Sequence, residues 1–176
     1  MQIKKRSYFL VKIASVLLIT GFIYFSTMAQ MVKSKMYNAV LHTLLSHKVK
    51  EVGVLQIDTS NTNIVYLDAR EKNEFEVSHI KNATWVGYND FSLSRVASFK
   101  KDTPIIVYCS VGYRSEKITQ QLLNNGFTNV SNLYGGIFEW KNTNHTVVDV
   151  TGAATNKVHA YSKTWGIWLK KGEKVY

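Results

Sequence analysis

The segment from residue 103 to residue 127, TPIIVYCSVGYRSEKITQQLLNNGF, limits the fold more than any other part of the chain. Its first eight residues are a short apolar run, which predicts a strand buried on both faces of a parallel sheet. Residues 115–127 place apolar side chains at helical spacing, with Ser115 as the predicted cap and Gly126 at the predicted end. A strand that leads directly into a helix is the repeating unit of α/β folds.

The same alternation continues on both sides of this unit. Further strands are predicted at 63–70, 83–88 and 128–136, and further helices at 90–99 and 137–142. Asp90 and Ser92 are both available to cap the helix predicted at 90–99. We therefore expect an α/β fold with a central parallel sheet of about five strands, joined by right-handed crossovers and flanked by helices on both faces.

The length and composition allow one ordinary domain with additional segments at its ends. The chain has 176 residues, of which 45% are hydrophobic. Its net charge is +10, but four of the 22 basic residues and none of the 12 acidic residues lie in the first thirty positions, so the remainder has a net charge of +6. No segment concentrates Lys and Arg as a phosphate-binding surface does, so we expect no nucleic-acid partner.

The N-terminus has the charge pattern of a targeting segment. Four cations precede or begin an apolar stretch whose uncharged core, 13–25, is short for a membrane span and suits a signal peptide. Thr27 and Ala29 fit the −3 and −1 positions of a cleavage site, although an uncleaved anchor that runs on to Val32 also fits. The sequence thus predicts residues 1–29 as a signal peptide or membrane anchor. Both place the rest of the chain outside the cytoplasm, in a bacterial periplasm or cell envelope.

Cys109 is the only cysteine of the chain, which excludes an internal disulfide. It stands at the carboxyl end of a predicted strand, where parallel sheets bind their ligands. If residues 109–114 curl before the helix, the N–H groups of the loop and the helix N-terminus favour a thiolate. Gly112 permits the curl, and Arg114 adds a positive charge. The sequence predicts a reactive thiol; the alternative is an inert cysteine packed in the core.

Three sequence blocks resemble the rhodanese domain, a family of sulfurtransferases and related proteins. LDAREKNEFEVSHIKNA is similar to the family signature D-x-R-x-x-x-E-F-x-x-G-H-I-x-G-A, CSVGYRS to its active-site loop C-x-x-G-x-R-S, and LYGGIFEW to its closing L-x-G-G-x-x-x-W. Ser78 and Asn82 replace glycines of the first block, a departure that concerns the turn around His79. The resemblance covers 49–142, more than half of the chain.

The resemblance implies a sulfurtransferase. Cys109 would take a sulfane sulfur from a small anionic donor such as thiosulfate, hold it as a persulfide and pass it to cyanide, sulfite or a thiol. Arg114 would guide the donor, or instead form a salt bridge that caps the next helix. Asp68 and Arg70 are expected at the same rim as a pair that braces the loop. The persulfide-binding loop would consist of Ser110, Val111, Gly112, Tyr113 and Ser115, with no metal and no cofactor.

Two other functions stay open at this point. A non-catalytic rhodanese-like module would use the same surface for binding a partner or sensing redox state, although the presence of both Cys109 and Arg114 argues against it. A phosphatase or arsenate reductase is disfavoured because four residues separate Cys109 from Arg114. The related cysteine-dependent phosphatases have five, which makes their loop wide enough for phosphate.

Additional segments flank the predicted domain on both sides. Residues 30–48 predict a leading helix or spacer that packs on the domain, and 143–176 form a C-terminal extension that contains Trp165 and Trp168. The extension is either a platform for a partner or for anionic lipid, or a tail whose aromatic side chains pack back onto the sheet. We favour the tail because the two tryptophans share one helical face. The oligomeric state stays open.

Overall fold

A computed structural model describes residues 31–176, and these residues form one compact unit. The predicted signal peptide or anchor at 1–29, with its apolar core at 13–25, lies outside the described residues. Between residues 31 and 176, no helix combines the length and the apolar composition needed to cross a bilayer.

Strands and helical segments alternate from residue 35 to residue 142, as the sequence predicts. The strands are β1 (Glu51–Gly53), β2 (Val65–Asp68), β3 (Thr84–Trp85), β4 (Ile105–Tyr108), β5 (Val130–Tyr134), β6 (Val147–Val148), β7 (Ala154–Thr155), β8 (Lys157–His159) and β9 (Glu173–Val175). The helices are α1 (Lys35–Leu44), α2 (Lys72–Val77), α3 (Tyr113–Asn124), α4 (Gly136–Asn142) and α5 (Lys163–Gly166). Two 3₁₀ turns, Val54–Gln56 and Leu93–Val96, lie in the connections.

The first five strands form one parallel sheet in the order β1-β5-β4-β2-β3. The parallel sheet of five strands that the sequence predicts is therefore confirmed. β4 occupies its centre, with β2 on one side and β5 on the other. The sequence did not predict β1, because a run of three residues is too short to be distinguished from a loop. The chain uses this strand as one edge of the sheet.

Both faces of the sheet are covered, because alternate residues of β4 enter two separate hydrophobic clusters. Ile105 and Val107 pack with the inward side of α3, whereas Ile106 and Tyr108 pack with side chains of α1 and α4. All four residues are buried. Alternation of side chains along a strand produces this division, and a strand covered on both sides reads as a continuous apolar run.

Two helix predictions differ from the structure, one in where the helix begins and the other in its length. α3 begins at Tyr113 and its cap is Gly112, so Ser115 lies inside the first turn rather than at the cap. The segment 90–99 contains only the 3₁₀ turn Leu93–Val96, for which Ser92 is the cap. Val96 is the one buried side chain of that turn, and a longer helix there would gain too little packing to offset its nucleation.

The leading segment packs on the domain. Tyr37 of α1 is buried, and its hydroxyl donates to the carbonyl oxygen of Gly135 at 3.0 Å. After α1, the backbone N–H groups of Ser46 and His47 each donate to the buried carboxylate of Glu116 at 2.9 Å. Residues 31–48 thus pack into the same core as the sheet.

The C-terminal extension also packs back, which confirms the preferred prediction for its tryptophans. Trp165 and Trp168 both contact the larger hydrophobic cluster, and the Trp168 ring stacks on Tyr37 with centroids 5.2 Å apart. The reason given for the prediction was wrong, because α5 ends at Gly166 and the two tryptophans do not share a helix. β8 and β9 pair in parallel and hold the end of the chain in place.

Candidate active site at the carboxyl end of the sheet

The cysteine loop connects β4, the central strand, to α3. Cys109 follows the last residue of β4 and is 1% exposed. Gly112 turns the chain into the helix with φ +120°, a backbone conformation that L side chains rarely adopt. Its N–H group donates to the Sγ atom of Cys109 at 3.2 Å. The sulfur thus lies at the N-terminus of a twelve-residue helix and accepts a backbone hydrogen bond.

A buried amide on the neighbouring strand supports the base of the loop. The Asn132 side chain of β5 is fully buried, and its Nδ2 atom donates to the carbonyl oxygen of Gly112 at 3.1 Å. The hydroxyl oxygen of Ser115 lies 2.7 Å from Asn132 Oδ1. Ser115 therefore joins the first turn of α3 to β5, whereas the sequence predicted that it caps the helix.

The N-terminus of α4 holds the other side of the loop. The N–H group of Ile137 donates to the carbonyl oxygen of Cys109 at 2.9 Å, and that of Phe138 to the carbonyl oxygen of Ser110 at 3.2 Å. Gly136 has φ +55°, and a Cβ atom there would lie 2.6 Å from the Ser110 carbonyl oxygen. The second glycine of the LYGGIFEW block is thus the point at which α4 approaches the cysteine loop.

Arg114 forms a paired ion bridge with Glu74 of α2. Its Nη1 and Nη2 atoms donate to the two carboxylate oxygens at 2.6 and 2.8 Å, and Nη2 also donates to the Ser110 hydroxyl at 3.1 Å. Burial disfavours the charged guanidinium, but Glu74 and the nearby Cys109 outweigh it and raise the pKa of Arg114. The salt bridge that the sequence left as an alternative exists, but it joins the first turn of α3 to α2 instead of capping α3.

We expect Glu74→Gln to lower the free energy of unfolding by about 1–3 kcal/mol at neutral pH, because the partly buried Arg114 loses its ionised partner. Burial alone would raise the pKa of Glu74, but Arg114 and Arg70 lower it overall. The ionised carboxylate therefore stabilises the fold above its ordinary pKa of 4.5, and this contribution is lost as the pH falls through the lower folded-state pKa. Urea unfolding at several pH values measures the difference between the two proteins, which should shrink in acid.

The exposed Glu173 offers a matched control for this comparison. Glu173→Gln should differ little from the wild-type protein at any pH, because an exposed carboxylate contributes little to stability. A stability difference between wild type and Glu74→Gln that stays constant from neutral to strongly acidic pH would contradict the assigned role of the Glu74 carboxylate.

Asp68 and Arg70 form a fully buried ion pair at the end of β2. Arg70 Nη2 donates to Asp68 Oδ2 and to the carbonyl oxygen of Ser78, both at 2.6 Å. The Arg70 guanidinium also lies 5.7 Å from the centroid of the Tyr108 ring, and Tyr108 immediately precedes Cys109. The pair thus fixes the chain after α2 and reaches the cysteine loop through Tyr108. His79, in the same turn, has its Nδ1 atom 3.1 Å from the Phe75 carbonyl oxygen.

The cysteine loop opens into a pocket of about 260 Å³. Its lining residues are Leu44, Cys109, Ser110, Val111, Tyr113, Arg114, Tyr161 and Trp165. Tyr113, a residue of the predicted persulfide-binding loop, is 42% exposed. In the described part of the chain, no group of three or more His, Cys, Asp or Glu side chains is arranged to hold a metal ion. The chemical groups of the pocket are therefore a thiol, a guanidinium, hydroxyls, backbone amides and aromatic rings.

Sequence reasoning missed several residues of this site. Glu74 is the glutamate of the block that resembles the rhodanese signature D-x-R-x-x-x-E-F, and this match was the signal that could have identified it. Asn132 gave none, because an asparagine inside a predicted strand has many structural roles. Tyr161 and Trp165 both lie in the C-terminal extension, and their sequence distance from Cys109 concealed their place in the pocket.

A parallel α/β sheet whose central strand ends in a cysteine loop, followed at once by a helix, defines the class of this domain. The family model for the Rhodanese-like domain matches residues 53–143, just over half of the chain. The chain belongs to the rhodanese-like domain family, and the resemblance of the three sequence blocks is confirmed.

The chain is similar in sequence to proteins that carry different names. The chain is 39% identical over 85 residues to a tRNA uridine(34) hydroxylase of Photorhabdus laumondii, which covers 46% of this chain and 24% of that protein. It is 35% identical over 107 residues to the mitochondrial protein HIGH ARSENIC CONTENT 1 of Arabidopsis thaliana, with coverage of 52% and 63%. The chain thus spans less than two thirds of the length of either relative.

Two solved structures share the fold. The BH2092 protein of Bacillus halodurans matches with a TM-score of 0.52 and 24% identity, covering 66% of this chain and 89% of that one. A thiosulfate sulfurtransferase of Pseudomonas aeruginosa matches with a TM-score of 0.52 and 22% identity, covering 64% of this chain and 23% of that one. At these identities, the two matches establish a common fold.

Proposed function

We propose that the chain is an enzyme that moves a sulfane sulfur from an anionic donor to a thiophilic acceptor through a persulfide on Cys109. The observation that carries the proposal is the position of Cys109, which lines the pocket and whose Sγ atom accepts a hydrogen bond from the Gly112 N–H group at the N-terminus of α3. Helix N-termini and backbone amides stabilise negative charge. These groups would therefore hold a persulfide anion.

The transfer takes two balanced steps. The Cys109 thiolate attacks the outer sulfur of thiosulfate, a new S–S bond forms, and sulfite leaves with the electron pair of the broken bond. Cyanide, or a thiolate, then attacks the outer sulfur of the persulfide and releases the Cys109 thiolate with thiocyanate or a new persulfide as product. Neither step needs a general base once the thiolate has formed. Arg114 contributes positive potential beside the sulfur, partly balanced by Glu74.

The length of the loop supports a sulfur atom over a phosphoryl group as the cargo. Four residues separate Cys109 from Arg114, and α3 begins at the fourth, Tyr113, so the curl is short. The carbonyl groups of Cys109 and Ser110 are bound to α4, and that of Gly112 to Asn132. A loop held on both sides in this way leaves little freedom to widen around a tetrahedral anion.

Intact-mass measurement tests the proposal directly. The purified protein, incubated with thiosulfate, should gain the mass of one sulfur atom, and cyanide should remove that mass with release of an equal amount of thiocyanate. Absence of both changes in a folded protein would contradict the proposal and favour a binding or redox-sensing module. Turnover of an aryl phosphate or of arsenate without sulfur transfer would assign the loop to the chemistry of the phosphatases instead.

A further inference from the structure

Three of the eight residues that line the pocket lie outside the region matched by the family model. Leu44 ends α1, before residue 53, while Tyr161 and Trp165 belong to the extension after residue 143. The matched region supplies the cysteine loop and Arg114. The flanking segments supply an aliphatic side chain and two aromatic rings at the same pocket.

The backbone at Tyr161 is held in a conformation that is rare for a tyrosine. Its φ angle is +63°, which costs free energy for any residue with a Cβ atom. The Tyr161 N–H donates to His159 Nδ1 at 3.1 Å, and the Ser162 N–H donates to the Ala160 carbonyl oxygen at 2.7 Å. This turn brings the Tyr161 ring within 5.0 Å of the Arg114 guanidinium carbon, although the residue is 52% exposed. The tight turn therefore fixes an exposed ring at the pocket.

Trp165 adds a second aromatic surface. Its backbone N–H group donates to the Ser162 hydroxyl oxygen at 3.3 Å. Its side chain packs against the hydrophobic cluster and also lines the pocket. Packing on the cluster restrains the indole, so this wall is preformed. The pocket volume of about 260 Å³ is slightly below the roughly 300 Å³ at which pockets for drug-sized ligands begin. A single aromatic ring with a small head group is an occupant of suitable size.

We propose that this pocket prefers an anionic sulfur donor with an aromatic body, an aryl thiosulfonate, to inorganic thiosulfate. The inference rests on the proposed sulfur transfer. The sulfonyl oxygens would face Arg114 and the loop amides, while the aryl ring packs on Tyr161 and Trp165. The Cys109 thiolate attacks the terminal sulfur, the bond between that sulfur and the sulfonyl group breaks, and an aryl sulfinate leaves with the electron pair.

Binding to an unreactive protein tests the preference without turnover. Cys109→Ser protein is titrated by calorimetry with benzenesulfonate and with methanesulfonate, which share the head group. We expect benzenesulfonate to bind about tenfold more tightly, and Tyr161→Asn in the same background to remove most of that preference. Asparagine suits this position because it tolerates a left-handed backbone. Tyr176→Asn is the matched control, since Tyr176 is also an exposed tyrosine of the extension and does not line the pocket.

Turnover provides the second measurement. The ratio of kcat/KM for benzenethiosulfonate to kcat/KM for thiosulfate should fall about tenfold in Tyr161→Asn and stay unchanged in Tyr176→Asn. Equal affinity of the Cys109→Ser protein for the two sulfonates would overturn the inference, whatever the turnover. A preference for benzenesulfonate that depends on Tyr161, in a protein that forms no persulfide with either donor, would support the aromatic wall and overturn the proposed sulfur transfer.

Discussion

Cys109→Ser should form no persulfide with thiosulfate and should produce thiocyanate at least roughly a thousandfold more slowly than the wild-type protein. A serine hydroxyl does not ionise near neutral pH, so neither the helix N-terminus nor the Gly112 N–H can prepare it for attack on sulfur. Thiocyanate release and the intact mass of the protein after incubation with the donor are the two measurements.

The fold of this variant should survive the change. Serine is close to cysteine in size, and its oxygen can still accept the hydrogen bond from Gly112. Thermal unfolding of both proteins provides the control. Because Cys109 is the only cysteine, alkylation of the wild-type protein with iodoacetamide should cause the same loss of activity. Thiocyanate production by a folded Cys109→Ser protein at the wild-type rate would assign the sulfur transfer to another group.

Gly136→Ala should lower the free energy of unfolding by about 2–5 kcal/mol and reduce sulfur transfer in the protein that remains folded. The new methyl group would meet the carbonyl oxygens of Cys109 and Ser110, and the backbone would be strained at φ +55°. The loop has little room to retreat, because α4 and Asn132 both bind its backbone. Urea unfolding and the thiocyanate assay measure the two effects.

Gly126→Ala is a matched control that separates strain from collision. Gly126 has φ +86°, but nothing lies within 4 Å of a Cβ atom placed there. Its substitution should cost only the left-handed backbone, about 1–2 kcal/mol, and leave the cysteine loop in place. Equal losses of stability in the two variants would show that the close approach of α4 to the loop carbonyls adds nothing to the cost of the substitution.

The strand and loop at the centre of the site could be predicted because their signals are local. The continuous apolar run before Cys109 is the pattern of a strand covered on both faces, and β4 has this position. Gly112 marked the required left-handed turn, and its φ angle of +120° agrees with that interpretation. The predicted cap of α3 was three residues late, since Ser115 resembles a cap in sequence although its hydroxyl bonds to Asn132 instead.

The partners of the loop could not be predicted, because they come from distant parts of the chain. Arg114 and Glu74 are 40 residues apart, and no periodicity connects α3 with α2. The place of Tyr161 depends on a tight turn that only tertiary packing holds at positive φ. β1 was missed because its residues form a strand only by pairing with β5. In each case the stabilising contacts join residues that are far apart in the sequence.

The central place of β4 has a consequence for how the molecule opens. β4 is hydrogen-bonded on both sides, so its amides should exchange with solvent deuterium only through global unfolding. Leu44, Tyr161 and Trp165 sit on peripheral segments, which open at lower free energy in most proteins. A sulfur stored on Cys109 would thus be covered by segments that can open while the central sheet stays intact, and we expect its lifetime in water to follow the rate at which these segments open.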